Sequence, residues 1–206
     1  MAVKDGYWDE RYKADGPIKT VGTVRWTQAT WDKRRDAVLR EVIRPLLGGR
    51  GIGTIADIGC GPGRFMEPLL TVADYYVGFD IAQEAINLAN EMLENHPYYD
   101  ETSAGFYQKD DFRAPARTWD AVFTCTALQH IVDDEELALC IKCMPMGSPK
   151  GFRWVSVESV GPQVARHEHI KFRPPEQYIE MFAAAGLKAI HVMDFYDCAV
   201  FCADKE

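Results

Sequence analysis

The sequence predicts a doubly wound α/β fold: a seven-stranded, mostly parallel sheet with helices on both faces and an antiparallel last strand. Two observations carry this expectation. From about residue 51 onward, short apolar runs alternate with amphipathic stretches of helical period, as in strands joined by crossover helices. The first strand also runs directly into a glycine-rich loop that opens a helix, Gly59-Cys60-Gly61-Pro62-Gly63. Without Cβ atoms such a loop can turn tightly and approach a ligand. A chain of 206 residues, 47% hydrophobic and 26% charged, can bury a sizeable core. One domain over 1–206 is therefore expected, with an N-terminal lid or helix segment (1–50) ahead of the core (51–206).

Residues 1–26 are polar and aromatic, with Tyr7, Trp8, Tyr12 and Trp26, and keep no period. From Thr27 to about Leu47 the residues Val38, Leu39, Val42, Ile43, Leu46 and Leu47 recur at helical spacing, and Gly48-Gly49 ends that helix. Thr54–Ile58 reads as a strand, followed by a helix from about Arg64. Tyr75–Phe79 is a second strand, leading into a helix whose buried stripe is Ala85, Ile86, Ala89, Met92 and Leu93. Phe106-Tyr107 marks a third strand and Ala121–Thr124 a fourth. Asp133 can cap the next helix with Glu136 completing a capping box; its apolar face is Leu137, Cys140, Ile141 and Met144. Phe152–Val157 is the fifth strand, and Glu158–Arg173 reads as a polar connection. Pro174-Pro175 opens a last helix, which carries Tyr178, Ile179, Phe182 and Ala185 inward and stops at Gly186. Leu187–Met193 and Phe195–Cys202 are the closing strands.

With 23 Lys and Arg against 31 Asp and Glu, the formal charge is −8. That balance repels nucleic acid and favours small-molecule or protein partners. No apolar run approaches the ~20 residues that span a bilayer, and the start MAVKDGYWDERYKADGP has no apolar core, so a cytoplasmic protein with no membrane partner is expected. Cys140-x-x-Cys143 and Cys198-x-x-x-Cys202 have the spacing of zinc ligands. However, Cys140 lies on a helical apolar stripe, Cys198 and Cys202 share a strand face, and no tight turn presents either pair. They read as core residues, and no metal is expected.

The glycine loop separates two ligand classes. Dinucleotide folds use G-x-G-x-x-G, with the helix start cradling a pyrophosphate. Here the loop is G-x-G-x-G, contains a proline and is preceded by Asp57. A carboxylate there opposes a phosphate and suits a ligand with an ammonium group, such as the methionine end of S-adenosylmethionine (SAM). Asp80, about twenty residues past the glycines, can accept both hydroxyls of a ribose; it can equally cap the following helix.

At these residues the chain resembles the class I SAM-dependent methyltransferases. The matching pieces are D-I-G-C-G-P-G-R, G-F-D at strand two, K-D-D-F after strand three and W-D-A-V-F-T-C-T-A-L-Q-H-I at strand four, together covering roughly residues 57–157. The resemblance implies SAM as cofactor and S-adenosylhomocysteine as product. It sets the methionine moiety against Asp57 and the backbone of Gly59, Gly61 and Gly63, and the ribose on Asp80. Adenine would meet Asp110 or Asp111, with Phe112 as a wall; Cys60, Ile81 and Cys125 complete the expected contacts. Arg64 follows the last glycine, as in the protein α-N-terminal branch of the fold, where it pairs with the cofactor carboxylate; alternatively it is a solvated helix start. One departure is the turn Met144–Gly151, which replaces the family's shorter Pro-Gly-Gly turn before strand five.

Methyl transfer needs alignment and exclusion of water first, and a base only where the acceptor arrives protonated. His130, after strand four, is the candidate base, or else a histidine that organises its loop. His167 and His169, in the connection after strand five, and Tyr7, Trp8 and Trp26, as an aromatic lid with Tyr12 and Trp31, are candidate acceptor contacts; the alternatives are exposed loop residues and ordinary packing. The leading expectation is methylation of an O or N atom of a small molecule. Methylation of a protein or peptide and a non-catalytic SAM-fold module are the competing readings, and an NAD oxidoreductase comes last.

Overall fold

The computed structural model describes residues 6–21, 27–109, 118–161, 164–167 and 169–206, without the side chains of 18, 19, 21 and 164–167. Seven strands form one sheet in the order β3-β2-β1-β4-β5-β9-β8, flanked by helices on both faces. The chain divides into two compact units, residues 4–110 and residues 111–206 with 1–3.

In the first unit, β1 (Ile52–Ile58), β2 (Ala73–Asp80) and β3 (Ala104–Gln108) are parallel. The C-terminal halves of β1 and β2 are buried on both faces, as central parallel strands are. Helix α1 (Tyr7–Val21) is broken at Gly16, whose φ of 71° is left-handed, and resumes at Pro17. Thr27 caps α2 (Gln28–Val38) by accepting from the Thr30 amide. A π turn (Leu39–Ile43) then leads to α3 (Arg44–Leu47). The Arg44 amide reaches back to Leu39 O at the point where Pro45 has no N–H to continue the α-helical ladder. The helix expected from Arg64 is shorter, α4 (Met66–Leu70). Helix α5 (Gln83–Glu94) buries Ala85, Ile86, Ala89 and Leu93 as its period requires, while Met92 is half-buried.

In the second unit, β4 (Ala121–Cys125) and β5 (Arg153–Ser159) are parallel. A 3₁₀ turn (Leu128–His130) follows β4, and Asp133 caps α6 (Asp134–Cys143) by accepting from the amides of Glu135 and Glu136. The connection expected to be merely polar contains a hairpin of β6 (Val164–His167) and β7 (Ile170–Phe172). Its two ends are also buried: Glu158 and Arg173 are both 0% exposed. Arg173 is neutralised by Asp134 at 2.8 Å and donates to Ile131 O at 2.7 Å. Helix α7 (Pro175–Ala184) ends at Gly186, and β8 (Lys188–Phe195) and β9 (Cys198–Asp204) close the sheet, with β9 antiparallel to both β5 and β8.

One glycine fixes how the first unit is packed. Gly78 pairs with Asp57 across the β1–β2 register. A Cβ on Gly78 would stand 2.7 Å from the Phe106 ring, 2.9 Å from Cys60 Sγ and 2.9 Å from the Tyr76 hydroxyl. Tyr76, two residues earlier on the same strand face, lies across that missing side chain. We predict that Gly78→Ala lowers stability by about 1–3 kcal/mol, the cost of overpacking a filled core, measured by urea denaturation; an unchanged midpoint would show that this packing is loose.

Candidate active site

The loop after β1 adopts the backbone its glycines allow: φ is 73° at Gly59, 55° at Gly61 and 81° at Gly63. The amides of Gly59 and Cys60 both donate to Phe79 O, at 2.8 and 3.0 Å, tying the loop to the end of β2. A Cβ on Gly63 would lie 2.5 Å from the Met92 methyl and 3.0 Å from the Phe106 ring, so close packing adds to the demand for glycine there.

Asp57, on β1, is 1% exposed and accepts a hydrogen bond of 2.8 Å from the Tyr76 hydroxyl. Burial pushes its carboxyl up to about 7; the Tyr76 bond and the Arg64 charge oppose the rise, and Asp80 adds to it. Tyr76 was not singled out in the sequence, since an aromatic in a strand reads as core. Cys60 is buried, directs its Sγ at Gly61 O at 3.4 Å, and is held well above the usual thiol range by burial and then by Asp80 and Asp57. It is therefore a neutral wall of the loop.

Asp80 uses both oxygens on the backbone: Oδ2 accepts from Gly61 N and Oδ1 from Ala82 N, each at 2.9 Å. Loss of solvation raises its carboxyl above the ordinary range against the pull of these amides. The helix-cap alternative changes form here. Ala82 stands at the cap of α5, and the side-chain acceptor for that helix start comes from α1, where Asp9 Oδ1 accepts from Glu84 N at 2.7 Å. That bond brings α1 against α5. Tyr12 packs on Ala82 and Ala85 beside Trp8, and the Tyr7 ring meets Trp8 edge-on at 5.0 Å. Burial, followed by the charge of Asp80, keeps the Tyr12 phenol protonated. Ile81 offers its carbonyl to Gln108 Nε2 at 3.2 Å.

Arg64 is not simply a solvated helix start. Its guanidinium lies over the Trp31 ring at 4.7 Å and the Phe65 ring at 4.4 Å, which binds the loop to α2. Asp110, Asp111, Phe112 and Trp26 lie outside the described residues.

In the second unit, β4 ends at half-buried Cys125, followed by Thr126 at φ 57°, a left-handed backbone rare for threonine. Short bonds hold it: Thr126 N to Val157 O at 2.7 Å and Thr126 Oγ1 to Cys125 O at 2.7 Å. His130 follows in the 3₁₀ turn. Its Nδ1 lies 2.8 Å from His169 O, and a carbonyl only accepts, so Nδ1 carries the proton. The neutral ring then has its lone pair on Nε2. The His169 ring lies parallel to it at 6.2 Å. His167 pairs with Ile170 through the β6–β7 ladder, and its side chain is outside the described residues.

The donor set of the first unit is one of acceptors. Asp57 and Asp80 stand at the ends of neighbouring strands around a positive-φ loop, and the nearby guanidinium of Arg64 is engaged with two rings. This suits an ammonium group and ribose hydroxyls and disfavours a pyrophosphate. A buried carboxyl whose folded pKa is raised stabilises the ligand-free fold while protonated. That contribution is complete below its unfolded pKa near 3.8 and is lost as pH rises through about 7. Asp57→Asn keeps the acceptor for Tyr76 but cannot ionise. Relative to this variant, the parent should lose about 2–4 kcal/mol between pH 4 and pH 8. Parallel stability curves from urea titrations across that range would place the Asp57 carboxyl in water.

Comparison with known proteins places the fold. Residues 55–151 match the family described as a methyltransferase domain. The mitochondrial ubiquinone biosynthesis O-methyltransferase of Bos taurus is 25% identical over 162 residues, covering 76% of this chain and 41% of that protein. The chain thus spans about two fifths of that curated relative. Among solved structures, the magnesium protoporphyrin IX methyltransferase of Synechocystis with bound SAM superposes with a TM-score of 0.72 at 17% identity, covering 100% of this chain and 99% of that one. The SAM-bound amino pentose methyltransferase of Micromonospora echinaspora gives 0.68 at 18% identity, covering 85% and 92%. Residues 55–151 thus match a methyltransferase domain, and the chain has the fold of the class I SAM-dependent methyltransferases.

Proposed function

We propose that this chain, acting as a single methyltransferase domain, transfers a methyl group from SAM to an O or N atom of a small-molecule acceptor. The observation that carries the proposal is the pair of carboxylates, Asp57 and Asp80, fixed around the Gly59–Gly63 loop by Tyr76 and by the backbone amides of Gly61 and Ala82. Bound SAM supplies an electrophilic methyl carbon on a sulfonium centre. Asp57 would face its ammonium end. Asp80 would accept the ribose hydroxyls on lone pairs left over after its two amide bonds, since a carboxylate has about four acceptor positions. Trp8 and Tyr12, packed at the start of α5, supply apolar surface that keeps water from the first unit's rim. Alignment of the acceptor then provides most of the acceleration. A small-molecule acceptor is supported by the similar proteins, whose names give an amino pentose and a porphyrin as substrates.

His130 acts in this reading as the base for an acceptor that arrives protonated. The His169 carbonyl holds the Nδ1–H tautomer, in which the basic lone pair is on Nε2.

Isothermal calorimetry should show SAM and S-adenosylhomocysteine binding and no heat with NAD. Binding of NAD with no response to either SAM compound would overturn the proposal. With an acceptor in hand, His130→Ala should bind S-adenosylhomocysteine as the parent does while kcat falls ~10²–10⁴-fold. The parent's rate should fall as acid protonates the imidazole, and the variant's should not. A normal kcat and pH profile in the variant would remove His130 from the mechanism.

A further inference from the structure

Glu158 is the last but one residue of β5, fully buried, and has no part in the cofactor site described above. Its Oε2 accepts from Gln129 N at 3.3 Å, and the amides of Ala127 and Leu128 also turn toward the carboxylate. Its Oε1 accepts from Ser156 Oγ at 3.3 Å. Behind Ser156 runs a chain of donors: Thr124 Oγ1 lies 2.7 Å from Ser156 Oγ, and Trp154 Nε1 donates to Thr124 Oγ1 at 3.3 Å. Gln129 reciprocates, its Oε1 accepting from Ser159 N at 3.0 Å. The end of β5 and the 3₁₀ turn after β4 are therefore strapped together in both directions. The next residue in that turn is His130, whose ring is held on its other side by His169 O.

A buried carboxylate costs free energy, and a strand end has no need of one for packing. We propose that Glu158 is a positioning residue: by collecting successive amides of the turn it fixes the orientation in which His130 presents its imidazole. This rests on the reading of His130 as the base. The ionised form has the acceptors the amides need. Burial opposes ionisation and raises the carboxyl to about 7, so the strap weakens as pH falls through that value. The other groups near it are the Tyr178 hydroxyl on α7, itself coupled to Glu158, and the Arg173 guanidinium after β7, which Asp134 and Lys171 O engage.

The test needs no acceptor. In ¹⁵N-labelled protein, His130 should titrate from a single Nδ1–H tautomer, and the amides of 127–130 should resist exchange. Glu158→Gln has the shape of glutamate but only one acceptor atom, so it cannot accept from the turn amides and from Ser156 Oγ at once. It should mix the His130 tautomers and speed exchange of those amides about tenfold or more, while amides within β4 and β9 stay protected. Glu158→Asp should restore part of both signals. If Glu158→Gln does not fold, Ser156→Ala removes the hydroxyl that holds Glu158 Oε1 and should speed exchange at 127–130 in the same way. An unchanged His130 tautomer and unchanged amide exchange in a folded Glu158→Gln, or in Ser156→Ala where it is used, would overturn the proposal. S-adenosylhomocysteine titrated into the parent tests the cofactor reading separately: failure to bind there leaves the Glu158 result standing, and binding there does not rescue it.

Discussion

A carboxylate that is 1% exposed must either find a donor or give up its charge, and Asp57 does some of each. Its donor comes from the neighbouring strand, by a route that only the absence of a side chain permits. Tyr76 crosses Gly78, the residue paired with Asp57, and delivers its hydroxyl from above. The same vacancy admits the Phe106 ring from β3 and the Cys60 thiol from the loop. Register, loop and third strand thus meet at one point where no Cβ exists. A slip of one residue between β1 and β2 would put Tyr76 on the wrong face and leave Asp57 unpartnered.

Asp80 and Glu158 show the same device twice more. Each is a carboxylate at or next to the C-terminal end of a parallel strand; Asp80 spends both oxygens, and Glu158 one, on backbone amides of the loops that follow strands. Loops at that edge of an α/β sheet carry the chemistry and have few hydrophobic contacts to order them. A desolvated carboxylate gathering amides orders a loop without filling the space a ligand needs. The cost is that these groups lie closer to neutral pH than surface acids do, as the values near 7 at Asp57 and Glu158 indicate.

The parts legible in the sequence were those with a local cause. Alternating apolar runs marked all seven strands of the main sheet, and the three glycines and Asp80 stood where spacing put them. What escaped depends on partners far along the chain. Tyr76 looks like any strand aromatic until Asp57 lies beside it. Glu158 and Arg173 sit among polar residues and read as solvated, yet tertiary packing buries both by supplying Gln129 and Ser156 to one and Asp134 to the other. The β6–β7 hairpin is three or four residues a strand, too short for alternation to rise above its charged neighbours. Asp9 as the acceptor for the start of α5 is a contact across 75 residues, which no local capping rule reaches.

The raised carboxyl of Asp57 has a further consequence for the proposed cofactor. Near neutrality the ligand-free loop carries a proton on that group part of the time, and a bound ammonium would drive it off. Cofactor uptake then becomes an exchange of one cation for another, releasing a fraction of a proton to the medium. The heat of association would include the ionisation enthalpy of whichever buffer captures that proton, so the same association, with the same free energy, would look exothermic in one buffer and nearly athermal in another.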